Sequence, residues 1–131
     1  MRIGIDIVDK DHDALVALHA QITRLLQATT LDTAAIGYLL EQYKSALISH
    51  FFREEALIKA AGYPLFLLLA HKQQHDFMIV AIGGPRSPSS AFEDSVIQHD
   101  YVHDRLLEHI RTLDAEYAGY ILNSKQTVLA A

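Results

Sequence analysis

Apolar residues recur along this chain in the three- and four-residue steps of a helix, in four segments parted by turn signals. Over residues 11–28, His12, Leu15, His19, Ile22 and Leu26 share one face. Thr29-Thr30-Leu31-Asp32 interrupts that pattern and offers a capping side chain for the next helix. Over residues 33–60 the stripe is Ile36, Leu40, Tyr43, Leu47, His50, Glu54 and Leu57, without a missed step. Gly62-Tyr63-Pro64 ends it, since glycine suits a C-terminal cap and proline cannot continue the hydrogen-bond ladder. A third helix over 65–82 carries Leu68, His71, His75, Met78 and Ile82 on one side. Gly83-Gly84-Pro85-Arg86-Ser87-Pro88-Ser89 reads as a loop, and Ser90-Ala91-Phe92-Glu93 as a capping box opening a fourth helix over 90–120, with a mobile tail beyond. No stretch reads as a strand pair. The expectation is an all-α, antiparallel up-down four-helix bundle forming a single domain over 1–131.

Composition narrows the functions open to such a bundle. The 131 residues are half hydrophobic, enough for one core. The net charge of −5 is spread out, with no Lys/Arg block, which argues against nucleic acid or an anionic membrane as partner. The chain has no cysteine, so disulfides, thiolate metal sites and cysteine nucleophiles are excluded. The N-terminus meets Asp6 before any apolar run long enough for a signal peptide, and Pro64 to Ala70 is too short to cross a bilayer. A cytoplasmic protein is expected.

The anomaly is histidine, with eight in the chain. His50 and Glu54 lie four apart on the second stripe, and His71 and His75 do the same on the third. Residues four apart stack one turn above the other, so each helix sends a ligand pair inward. The first helix adds His12, and the fourth adds His109 between Leu106 and Leu113. Singly, each has an ordinary reading: a lone inward histidine is more often a hydrogen-bonded core residue, and one HxxxH is a weak signal. Together, five histidines and a glutamate occupy positions where the stripes call for apolar residues. Without metal they would form a half-satisfied polar cluster. Asp114, five after His109, reaches that face only if the helix kinks, ends or inserts a π-type turn; otherwise it is a solvated aspartate. His99 and His103, among Asp100, Asp104 and Arg105, are read as surface residues. His19, two turns from His12, is read as a core histidine or one that braces a ligand.

The ordered set His12, His50-Phe51-Phe52-Arg53-Glu54, His71-Lys72-Gln73-Gln74-His75 and His109-Ile110-Arg111-Thr112-Leu113-Asp114 resembles the hemerythrin family, particularly its bacterial members. Ile5-Asp6-Ile7-Val8-Asp9-Lys10-Asp11-His12 resembles the family's entry segment, and Gly62-Tyr63-Pro64 its turn between the second and third helices. The resemblance spans nearly the whole chain. It implies two oxo- or hydroxo-bridged non-haem irons held by His12, His50, Glu54, His71, His75, His109 and Asp114, with dioxygen as ligand. His71, His75 and His109 would saturate one iron, and His12 and His50 would leave the other five-coordinate. With both carboxylates bridging, the donors number about eleven against about twelve positions in two octahedra. Leu15, Phe51 and Leu106 are candidates for the apolar dioxygen pocket.

The implied function is reversible dioxygen binding for storage, delivery or sensing, without enzymatic turnover. A di-iron oxidase or peroxidase remains the rival, and Arg105 and Arg111 near the pocket keep peroxidase-like or nitric-oxide chemistry open. A sensory module acting through a protein partner is a third reading, and a metal-free helical interaction domain a fourth.

Overall fold

The computed structural model describes residues 2–83 and 91–130, and no strand occurs among them. Helix α1 runs Asp6–Leu26, α2 Thr33–Ala60 and α3 Leu65–Ala81. The fourth limb comprises α4 (Ala91–His109), a π-helical turn (Ile110–Asp114) and α5 (Ala115–Ala130), which follow one another without an intervening loop. The turns at 27–32 and 61–64 are short, so the helices they join lie antiparallel, giving the four-helix bundle.

Local chemistry sets the boundaries. Asp32 caps α2, its Oδ1 accepting the Ala35 N–H at 3.0 Å. Gly62 closes α2 in the left-handed region at φ +75°, where a side chain would be strained; its N–H reaches Lys59 O at 3.1 Å and that of Tyr63 reaches Ile58 O at 3.4 Å. Pro64, in extended conformation, then opens α3. The start of α1 corrects the sequence reading, which placed it five residues later. Asp9 is buried and its carboxylate accepts the N–H groups of Ile3 (2.8 Å) and Gly4 (3.1 Å), folding the N-terminal segment back onto the first helical turn. Helix α1 also ends two residues earlier than read. The expected tail is a second correction, because α5 continues helical to Ala130. Most of the expected loop and the start of the capping box, residues 84–90, lie outside the described residues, as does the side chain of Ala91.

Two apolar clusters divide the interior. The larger includes Leu15, Ile22, Ile36, Tyr43, Leu47, Phe51, Met78, Val102, Leu106 and Ile110; the smaller joins Ile58, Tyr63, Tyr117 and Ile121. Fully burying one such side chain contributes about 1.5–3 kcal/mol. Along α2 the change from the larger cluster to the smaller falls between Phe51 and Ile58, which brackets Glu54. Along the fourth limb it falls between Ile110 and Tyr117, which brackets Asp114. A buried polar layer therefore separates two hydrophobic ones.

Candidate metal centre

All seven residues expected to meet do so, and each is at most 2% exposed. Two groups form, each with its potential ligand atoms within 4.8 Å of one another: Glu54, His71, His75, His109 and Asp114, and His12, His50, Glu54 and Asp114. The carboxylates belong to both. Glu54 Oε1 lies 2.8 Å from His71 Nε2 and 3.0 Å from His75 Nε2, while its Oε2 lies 3.3 Å from His50 Nε2. Asp114 Oδ1 lies 3.0 Å from Nε2 of both His71 and His109, while its Oδ2 lies 3.2 Å from His12 Nε2. Glu54 thus turns one oxygen to His71, His75 and His109 and the other toward His50 and His12, while Asp114 turns one to His71 and His109 and the other to His12.

Asp114 owes its place to the π turn. On a regular α-helix a residue five positions on is rotated well off the face. In a π turn the bond spans five residues, and Ala115 N–H reaches Ile110 O accordingly. The turn brings Asp114 back beneath His109, and the Thr112 hydroxyl donates to Glu108 O at 2.9 Å within it.

A surrounding layer aims the imidazoles. The Nδ1–H of His50 donates to Asp11 Oδ2 (2.9 Å), that of His75 to Glu55 Oε2 (2.8 Å) and that of His109 to Gln74 Oε1 (2.9 Å). Each bond fixes the proton on the outer nitrogen and leaves the Nε2 lone pair facing inward. Arg53 holds Asp11 through two bonds, at 3.0 and 2.9 Å. The Tyr117 hydroxyl donates to Glu54 Oε2 at 3.0 Å. Sequence reasoning named none of these four braces. Asp11, Glu55 and Gln74 each sit one residue before or after a ligand, which is the signal that was available.

The donor set fits metal. Nε2 of His109 lies 3.0 Å from that of His75 and 3.1 Å from that of His71, a convergence of lone pairs that a shared cation resolves. His12 Nε2, His50 Nε2 and both Asp114 oxygens are buried without a properly aligned hydrogen bond, despite neighbours near 3 Å. Electrostatics agree. Burial would raise the Glu54 carboxyl, but the imidazoles of His109, His50, His71 and His75 hold it well below the usual carboxylate range. Burial opposes ionisation of Asp114 too, yet His109, His12 and His71 keep it down at about 2. Burial would lower His109, but Asp114 and Glu54 push it up to about 9. The cluster holds its carboxylates ionised by binding protons, which metal ions would displace.

A hemerythrin HHE cation-binding domain model matches residues 3–129. The chain belongs to this family. Among its hemerythrin relatives, a bacteriohemerythrin of Stenotrophomonas maltophilia is 31% identical, covering 92% of this chain and 77% of its own length. A bacteriohemerythrin of Pseudomonas aeruginosa is 30% identical over 95% of this chain and 79% of its own. Myohemerythrin-1 of Phascolopsis gouldii is 37% identical over 54% of each. No solved structure gives a significant match. No helix among the described residues is long and apolar enough to cross a membrane.

The remaining candidates divide. Leu15, Phe51 and Leu106 are buried in the larger cluster, and Phe51 stacks on the His75 ring at 3.9 Å. Arg111 is exposed and pairs with Glu108, and Arg105 lies over the outer rings of Phe77 and Tyr101, so neither enters that apolar interior. His99 and His103 are corrections: they are 1% and 3% exposed, not surface residues. Their polar neighbours point away while their rings meet His19 and Tyr43. His19 bonds to His99 and braces none of the seven.

Proposed function

We propose that this chain binds dioxygen reversibly at a di-iron centre held by His12, His50, Glu54, His71, His75, His109 and Asp114, serving storage, delivery or sensing. Membership of the hemerythrin family supports a di-iron, dioxygen-binding protein. The single observation that carries the residue assignment is the division of each carboxylate between two imidazole groups, the arrangement of two bridging ligands. A structural zinc ion wants four ligands in one tetrahedron, and seven residues in two overlapping groups exceed it. Imidazole with carboxylate at higher coordination suits iron.

A ferrous pair bound here would supply the electrons for dioxygen binding. The chain's own residues supply the rest. His71, His75 and His109 would hold one ion with three imidazoles and His12 and His50 the other with two, so the His12–His50 side would be the one with room for a ligand. Leu15, Phe51 and Leu106, buried in the larger apolar cluster, would supply apolar surface that keeps water from a bound ligand. A cavity of about 370 Å³ between α1 and α2 is lined by Ile7, Val8, Asp11, Arg53, Glu54 and Leu57, beside His50's brace. Five neutral imidazoles against two carboxylates stabilise oxidised iron less than a carboxylate-rich set does, which favours binding over oxidative turnover.

Iron content with an optical spectrum cycled between argon and air tests this. The expected result is two irons per chain and an oxygenated band that bleaches under argon and returns in air. Fewer than two irons, or a spectrum that oxidises once and does not return, overturns the reading.

A further inference from the structure

Among the described residues outside the seven-residue centre, a further group of metal-ligating side chains lies where α1 meets α4. His19 Nδ1 and His99 Nε2 are 2.9 Å apart, and a carboxylate oxygen of Asp100 completes a set of ligand atoms all within 4.8 Å of one another. The three differ usefully in exposure: His99 is buried, His19 half-buried and Asp100 exposed, so an ion held there would keep a solvent-facing side. We propose that His19, His99 and Asp100 form a second, mononuclear site for a late first-row divalent ion such as nickel, separate from the di-iron residues.

Two observations support it. Two imidazole nitrogens about 2.0–2.1 Å from one ion at a right angle lie about 2.9 Å apart, the spacing found, and right-angled coordination suits nickel and copper. The rings are held in place: His103 stacks on His19 at 3.8 Å with an interplanar angle of 8°, and its own Nδ1 is occupied by the Tyr43 hydroxyl at 2.8 Å. An ion there would tie α1 to α4 across the bundle.

The test is Ni²⁺ titration of the untagged protein as purified, by calorimetry, with iron assayed before and after. One equivalent of Ni²⁺ per chain should bind with iron unchanged, raising the melting temperature. His19→Gln, at a half-buried position, should weaken binding at least tenfold and abolish the thermal shift while leaving iron content and optical spectrum intact. Asp100→Asn, at an exposed position, should weaken it several-fold. Absence of Ni²⁺ binding, equal binding by wild type and His19→Gln, or uptake matched by iron release each overturns the proposal.

Discussion

At the scale of single residues, the account turns on side chains whose burial is tolerable only in company. Glu54 faces imidazoles from all four helices within 4 Å, so Glu54→Ala should reduce iron well below two per chain by elemental analysis. The variant should also lose about 3–5 kcal/mol in denaturant unfolding, because stripping one partner from a buried charged cluster leaves the others uncompensated. His103 makes a contrasting case. It is buried and bonded to Tyr43 but belongs to neither imidazole group, so His103→Gln should keep its iron while losing about 1–3 kcal/mol. Burial, with His19 and His99 adding to it, holds His103 at about 4, below its ordinary 6.5. The unfolded chain therefore takes up this proton first as pH falls, and wild-type stability drops from pH 6.5 toward 4. The glutamine variant lacks that penalty. Its stability deficit against wild type should narrow across this window in urea titrations; a constant deficit would contradict the burial.

Among the elements, the π turn decides most. Within it, the fifth residue after His109 and not the fourth faces the centre. Exchanging the two side chains, Leu113→Asp with Asp114→Leu, should preserve helix content by circular dichroism yet lower iron below two per chain. Unchanged iron would mean the turn does not control the face. This irregularity was legible beforehand, since a five-residue spacing is useless on a regular helix. The stripes of α2 and α3 were equally legible, because three- and four-residue steps from Ile36 to Glu54 and from His71 to Met78 allow one inward face. Other features were hidden for identifiable reasons. Asp9 draws no reading of its own from the sequence, because the amides of Ile3 and Gly4 that its carboxylate holds carry no side-chain signal. His99 and His103 stand among charges, and only the packing of α1 and α2 around α4 shows that their side is interior. Asn123-Ser124-Lys125 reads as the start of a tail, yet α5 runs through it. The braces Asp11, Glu55, Gln74 and Tyr117 act across helices, and a stripe on one helix cannot disclose such partners.

For the whole molecule, the polar layer between two apolar clusters makes stability depend on metal. Each ion held at a hundred times its Kd adds about 2.7 kcal/mol to the folded state. In a chain of this size 1 kcal/mol moves the melting temperature by about 3–5 °C. Stripping both ions with a chelator should therefore lower Tm by at least about 10 °C in scanning calorimetry. An unchanged Tm would mean that protons alone satisfy the cluster. The most direct test of the central claim is iron anomalous diffraction from crystals of the loaded protein. Two peaks should lie within the bundle, one among Nε2 of His71, His75 and His109 and the other between those of His12 and His50, with Glu54 and Asp114 each turning one oxygen to the first ion and its other oxygen to the second. A single peak, or a carboxylate with both oxygens on one ion, would contradict it.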